Sequence, residues 1–346
     1  LKEEFLKDSG ARNAGNKARN DVEEIVVREG YSPLLLMVDD WYQMGTIRAQ
    51  RHKAQALSKA LSKLKKGDQL LIQFPMLHHS FFTTHLVKRM QRKGVKVHFI
   101  IHDLEVLRYA NLDTVPWKHK IRVHLQESSL LKQADGLIAH NPIMKSVLVD
   151  KGISEKKIVS LGIFDYLIPN YQDKENLSKE GAIIVAGNLA QEKAGYLYEL
   201  PPRPAYNLYG VGFDEARKLS NETYFGSFLP DELPSALEGS FGLVWDGDSS
   251  KTCSGVFGEY LRYNNSHKAS LYLASGFPII VWRQSALANF VLEKECGISV
   301  ESLLDLEKEL EHLSEEEYQN LVNKAKSVGQ KIREGAYLFS ALKKLK

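Results

Sequence analysis

The chain has 346 residues, 43% hydrophobic and 26% charged, which describes a globular protein with room for roughly two domains of ordinary size. Its formal charge is only +3, and with Lys and Arg reading as spread along the chain it does not look like a dedicated nucleic-acid binder. Two cysteines, Cys253 and Cys296, give neither a disulfide framework nor a metal-ligand spacing and fit a reducing cytoplasm; no apolar run approaches the ~20 residues of a membrane span, and no signal peptide is visible.

Residues 1–13 are polar and charged, with Gly10 as a break, and the stretch Lys17–Arg28 places Val22, Ile25 and Val26 on one helical face. An opening helix in an α/β protein normally follows a strand. The chain begins with Leu1 rather than Met, so that strand is expected to be truncated or to precede Leu1. Residues 10–19 then read either as a strand-to-helix loop beside a ligand cleft or as a mobile terminus. A run of alternating signals follows. A short strand over 34–38 ends in Asp39-Asp40, and a basic amphipathic helix covers 46–64. A strand over 69–74 is stopped by Pro75, and a helix over 80–92 ends at Gly94. A strand over 95–101 ends in His102-Asp103, and helical residues 118–133 follow. A strand over 136–139 then leads to a helix over 142–150 that opens on Pro142.

Apolar strands alternating with helices predict a parallel sheet covered on both faces. Ligands of such sheets sit beyond the carboxyl ends of the strands. The polar residues there are Asp39, Asp40, Gln73, His78, His79, His102, Asp103, His140 and Asn141. A carboxylate or imidazole at His102-Asp103 is placed to remove a proton from an incoming hydroxyl; the alternative is that Asp103 caps the next helix. His78, His79 and His85 lack the spacing of a helical chelate, so a metal is not expected there.

Residues 165–181 are polar, contain Pro169 and read as a domain linker. The alternation restarts with a strand over 182–186, the loop Gly187-Asn188 and a helix over 192–200 stopped by Pro201-Pro202. A strand over 206–211, an extended piece over 224–228, a short helix over 231–237 and a strand over 241–245 follow. After the polar loop 246–254 come Asn264, Asn265 and Ser266, each able to cap a helix. His267 and Lys268 then fall in its first turn, and Leu271, Leu273 and Ala274 supply apolar surface. Gly276 ends the helix and Pro278 forbids its continuation, before a buried strand over 279–282. A helix over 285–293 and a strongly helical tail from Glu301, with many i,i+4 Glu–Lys pairs, complete the chain.

A lysine in a first turn opposes the helix dipole. Free N–H groups, the positive dipole end and Lys268 together form a site for an anion, best a phosphate; the alternative is a solvated surface lysine. No structural partner for Lys268 is apparent in the sequence, so its truncation is expected to leave stability unchanged. The neighbouring Tyr260, Tyr263, Asn264, Asn265 and His267 are costly to bury alone and suit a polar ligand.

The stretch FGEYLRYNNSHKASLYLASGFPIIVW (257–282), with AIIVAGNLA, YNLYG, IIHDLEVLR and residues 11–19, resembles the two-domain GT-B nucleotide-sugar glycosyltransferases. Within that class it is similar to a bacterial subfamily that includes a streptococcal adhesin glucosyltransferase and β-1,6-galactofuranosyltransferases. The resemblance implies an α/β fold of two Rossmann-like domains facing a central cleft, with C-terminal helices crossing back. It implies a UDP-sugar donor in the second domain, with Gly187 and Asn188 at the diphosphate or sugar. Tyr209, Ser227 and Phe228 would lie at the uridine, Asn265, His267 and Lys268 at the diphosphate, and Tyr263 also at the donor. Many relatives in the wider class carry a glutamate on the helix ending in ASG-x-P; here KASLYLASG has no acid, which puts ribose recognition by such a group in doubt. Asp246-Gly247-Asp248 has the letters of a metal motif but lies in a polar loop, so metal-independent transfer is expected, with lysine and helix dipole offsetting the leaving charge.

The expected organisation is an acceptor-side domain over 1–165, a linker over 166–180, a nucleotide-sugar domain over 181–325 and a tail over 326–346 packing back on the first domain. The expected activity moves a glucose- or galactofuranose-type hexose from a UDP-sugar to a carbohydrate or glycopeptide acceptor in bacterial glycan synthesis, with His102, Asp103 and Lys268 catalytic. No cofactor is required beyond the donor. The expected setting is cytoplasmic, without nucleic acid, and compatible with homo-oligomers and with peripheral association at the inner face of the membrane. A non-catalytic nucleotide- or sugar-binding protein and a UDP-sugar epimerase or hydrolase remain the alternatives.

Overall fold

The computed structural model describes residues 1–5, 14–38, 46–76, 82–109 and 127–345. The expectations at Asp39, Asp40, His78 and His79, and those over 10–13 and 118–126, lie outside these residues. The described chain divides into two compact units, one within Leu1–Ala11, Val22–Leu161 and Phe339–Lys346, the other within Arg12–Asp21 and Gly162–Leu338.

In the first unit, β1 (Lys2–Phe5) pairs in parallel with β2 (Leu35–Val38). A four-stranded parallel sheet runs β3 (Gln69–Phe74), β4 (Lys96–Ile101), β5 (Gly136–Ala139) and β6 (Ile158–Ser160) in that order. Leu1 joins the two sheets: its nitrogen donates to Leu71 O (2.5 Å) and its carbonyl accepts from Gln73 N (3.4 Å). The strand expected ahead of the opening helix is Lys2–Phe5. Its sequence KEEF carries three charges and no alternation, so only the ladder with β2 identifies it. The helices are α1 (Ala14–Arg28), α2 (Thr46–Leu61), α3 (Thr83–Arg92), α4 (Glu105–Arg108), α5 (described over 127–133) and α6 (Pro142–Asp150). Val97, Phe99, Ile101, Leu137 and Ile138 are fully buried between them, with Phe74 edge-on to Phe99 at 5.9 Å.

The second unit holds a six-stranded parallel sheet built from β7 (Ile183–Asn188), β8 (Tyr206–Val211), β9 (Glu222–Tyr224), β10 (Gly242–Val244), β11 (Ile279–Trp282) and β12 (Gly297–Val300). Their spatial order is β12-β11-β10-β7-β8-β9. Successive strands step one way from β7 and then the other way from β10, which is the doubly wound Rossmann order with its reversal between β7 and β10. Both faces are covered, so alternate side chains feed two separate cores. Ile183, Val185, Leu243, Trp245 and Trp282 enter one; Ile184, Ala186, Val244, Ile279 and Val281 enter the other, against α10 (His267–Ala274) and α13 (Glu315–Glu334). This is why each strand reads as a continuous apolar run rather than an alternating one. The shorter helices are α7 (Gln191–Ala194), α8 (Leu233–Ala236), α9 (Gly255–Tyr260), α11 (Ala288–Lys294) and α12 (Leu306–His312). Both cysteines are free and buried. No described helix is long and apolar enough to cross a membrane.

The last helix, α14 (Ala336–Lys344), starts against Asp165, whose Oδ1 accepts from Tyr337 N (3.2 Å) and Oδ2 from Leu338 N (2.7 Å). Further on, Leu345 lies over Gly136 of β5. Burial pushes the Asp165 carboxyl up from 3.8 to about 7, against the opposing pull of those two amides. A raised folded-state pKa means that the contribution of this group to stability is complete below about pH 4 and is lost as pH rises towards 7. Asp165→Asn keeps an acceptor for one amide and removes the titration, so the fall in stability between pH 4 and 7 becomes shallower. Urea midpoints at several pH values check this; an unchanged pH slope in the variant would contradict it.

Candidate functional site

The site begins with a defect in the ladder between β7 and β10. Their amino-terminal ends pair normally: Ser240 N donates to Ala182 O (2.9 Å) and Ile184 N to Phe241 O (2.7 Å). The next β7 amide on that side, Ala186 N, donates instead to the Tyr272 hydroxyl (2.7 Å). Tyr272 of α10 stands on Gly242, where any Cβ would run into its ring. The two strands therefore part beyond Ile184, and a crevice opens at their carboxyl ends with Gly187-Asn188 on one lip and Trp245-Asp246 on the other.

Lys268 reaches into this crevice from the first turn of α10. Its Nζ donates to Trp245 O (2.9 Å) and Asp246 Oδ1 (2.8 Å), and both side chains are nearly buried, at 10% and 7% exposure. Burial lowers the Lys268 pKa, with Asp246 opposing the shift. Gly187 has φ of +127°, a conformation that favours glycine, and a Cβ there would lie 3.7 Å from Lys268 Cε. The structure thus corrects the expectation that Lys268 has no partner: its first-turn position sets it against the helix dipole, but an acid 22 residues earlier compensates. Two of the three ammonium donors are engaged, leaving one for a ligand.

The other expected anion-site residues behave differently. Ser266 takes N-cap geometry but makes no side-chain cap bond. Asn265 uses its Nδ2 to donate to Gly162 O (2.6 Å) and is buried, and Tyr263 is half-buried beside it. His267 packs against Tyr166 (5.1 Å) and Phe164 (6.2 Å). Its ring donates to the Asp165 carbonyl, and burial pushes its pKa down to about 4. It is therefore neutral at pH 7, so any part it takes in holding a diphosphate is as a hydrogen-bonding imidazole and not as a cation. Asn188 closes its own turn, accepting from Ala190 N (2.9 Å).

On the other flank, Tyr209 is fully buried and its hydroxyl accepts from Glu238 N (3.1 Å). Phe225, 41% exposed as a residue, stacks on it at 4.8 Å and 8°, Phe228 lies at 6.0 Å, and Ser227 follows Gly226 in the same loop. Sequence reading missed Phe225; the pair Tyr224-Phe225 before a glycine was the available signal. Asp248 accepts from the Ser254 hydroxyl, and among the described residues no group of three His, Cys, Asp or Glu is gathered to hold a metal.

In the first unit, His102 Nε2 meets Gln73 Oε1 at 2.8 Å, and Asp103 Oδ1 pairs with Arg108 at 2.8 Å. Asp103 does not cap α4. The Glu105 and Val106 amides instead donate to Glu127 (3.0 and 2.9 Å), a residue that the sequence did not single out. Burial pushes Glu127 up to about 7 and His140 down to about 4. Asn141 caps α6 through Met144 N (2.8 Å).

Removing Lys268 strands a buried carboxylate, so the expected neutrality of its truncation is overturned. Lys268→Met should cost roughly 3–5 kcal/mol, and Lys268→Met with Asp246→Leu should recover most of it. Denaturant unfolding of both variants measures this; a single variant as stable as the parent would show that the pair contributes nothing.

Residues 5–163 match the family model described as "Glucosyltransferase 3-like, N-terminal domain", and residues 183–345 that described as "Glucosyltransferase 3-like, C-terminal domain". The chain is 31% identical over 349 residues to β-1,6-galactofuranosyltransferase WbbI of Escherichia coli, covering 99% of this chain and 97% of that protein. It is 24% identical over 324 residues to glucosyltransferase 3 of Streptococcus gordonii, with 92% and 90% covered. Among solved structures, Anabaena HepE in complex with UDP-glucose superposes with a TM-score of 0.55 at 11% identity, over 98% of this chain and 99% of that one, a likeness of fold.

Proposed function

The chain belongs to the glucosyltransferase 3-like family of GT-B glycosyltransferases, and we propose that it moves a hexose from a UDP-sugar to a carbohydrate acceptor in bacterial glycan synthesis. Its relatives are named as a galactofuranosyltransferase and a glucosyltransferase, and the structural neighbour HepE holds UDP-glucose. The observation that carries the reading is Lys268 at the reversal point of the second sheet, fixed by Asp246 and lying beside Gly187.

In this reading the diphosphate lies between the Gly187 backbone, the α10 amino terminus and the remaining Lys268 N–H. The uracil lies on the outer face of Phe225, backed by Tyr209. During transfer the bond from sugar C1 to the diphosphate breaks, with its electron pair staying on phosphate. The acceptor oxygen bonds C1 and gives up its proton. Lys268 is worth most as the leaving charge grows. Asp246 acts through Lys268, holding the ammonium in place. His102 and Asp103 are the two candidate proton acceptors, the first hydrogen-bonded to Gln73 and the second paired with Arg108. Transfer proceeds without a bound metal: Asp246 is committed to Lys268 and Asp248 to Ser254. The domain division proposed remains 1–165 and 181–325, linked by 166–180, with 326–346 returning to the first domain.

UDP release from a panel of UDP-glucose, UDP-galactose and UDP-galactofuranose, with and without sugar acceptors, tests the activity. Acceptor-dependent release is expected; release into water alone would mark a hydrolase, and binding without release a passive module. Turnover should persist in excess EDTA, and a loss restored by manganese or magnesium would overturn metal independence. Calorimetric titration of UDP into Lys268→Ala, at a temperature where the variant is folded, should show affinity lowered about ten- to a hundredfold. Parental affinity would move the phosphate site elsewhere.

A further inference from the structure

The modest total charge conceals a strong asymmetry. Between Thr46 and His102 the sequence carries twelve Lys and Arg against one acid, Asp68, in a chain whose formal charge is only +3. The even spread of basic residues read from composition therefore does not hold. Asp68 is itself engaged, accepting from Lys65 N (2.7 Å).

The fold gathers these charges onto one face of the first unit, because α2 and α3 pack against each other. On α2, Ala49, Leu57 and Leu61 are buried while Arg48, Arg51, Gln55 and Lys59 recur on the exposed side. On α3, Thr83, Leu86, Val87 and Met90 are buried while Lys88, Arg89 and Arg92 are exposed. The carboxyl ends of the two helices are tied together: Lys93 Nζ donates to Ser62 O (3.4 Å) and to Leu64 O, and Gly67 N donates to Gly94 O (2.9 Å). Exposed Lys63, Lys65, Lys66 and Lys96 extend the basic field there. At the opposite ends of the same helices stand two exposed apolar residues, Ile47 at 74% and Phe82 at 47% exposure.

We propose that this α2–α3 face docks on an anionic lipid bilayer. Paired basic helices match a negatively charged headgroup layer. Exposed apolar side chains at their leading ends are placed to enter the acyl boundary, as on interfacial helices. A nucleic-acid partner would use the charges and leave Ile47 and Phe82 unexplained. The proposal goes beyond the transfer reading and does not depend on it, since vesicle binding requires no donor and no turnover.

The test is co-sedimentation of the whole chain with equimolar phosphatidylglycerol–phosphatidylcholine vesicles and with phosphatidylcholine vesicles, at about 0.1 M salt. Binding to the anionic vesicles alone is expected, weakening as salt approaches about 1 M. The variant Arg51→Glu/Lys59→Glu/Lys88→Glu/Arg92→Glu should lose at least about a hundredfold in vesicle affinity. Its circular dichroism and UDP titration should match the parent, since none of the four residues lies at the donor site. Failure to sediment with anionic vesicles, equal sedimentation with neutral ones, or undiminished binding by the folded variant would overturn the proposal. Tighter binding to a short DNA duplex than to the anionic vesicles would overturn it in favour of an anionic polymer.

Discussion

The Ala186 amide finds its partner in the Tyr272 hydroxyl and not in β10, and the geometry of the crevice follows from that exchange. A parallel ladder continued past Ile184 would have closed the space between β7 and β10. The phenol satisfies the amide that the separation would otherwise leave bare and holds the strands apart at the one place where the winding reverses. Gly242 makes this possible by leaving room for the ring. The wedge and Lys268 belong to the same helix, one turn apart, so the opening and its cation are set by one element.

Within that opening, Lys268 and Asp246 form a nearly buried ion pair. Such a pair is a poor device for stability alone, because desolvating both charges offsets most of their attraction. What it supplies is position: Nζ is fixed by a carboxylate and by the Trp245 carbonyl. A flexible lysine held in this way loses little further freedom when an anion arrives.

The two units treat their buried titratable groups alike and their strand ends differently. His267 and His140 are both driven towards neutrality by burial, and Asp165 and Glu127 are both pushed up towards neutral pH while accepting from backbone amides at helix starts. In the first unit the strand-end polar groups are largely consumed by local structure: Asn141 caps α6, and Asp103 pairs with Arg108. In the second unit a lysine donor is left over at the reversal point. Chemistry that needs a fixed cation is therefore better served by the second sheet.

The sequence by itself determined the strand–helix alternation, the parallel class and the restart of the pattern at β7. Strands covered on both faces must be apolar throughout, and that signal is local. It also marked Lys268, because a cation in the first turn of a helix is anomalous wherever the rest of the chain lies. Tertiary structure alone decided what the anomaly meant. Asp246 meets Lys268 because β10 runs beside α10, and no spacing rule links residues 22 apart through a loop, the helix α9 and a turn. The same holds for Glu127, which caps α4 from 21 and 22 residues away, and for Lys2–Phe5, whose charged sequence becomes a strand only by pairing with β2. Tyr209 was legible as an aromatic at a strand end, but its burial beneath Phe225 depends on how β8 and β9 lie together. Local patterns set which elements form; non-local packing set which side chains were left with a hydrogen bond to give.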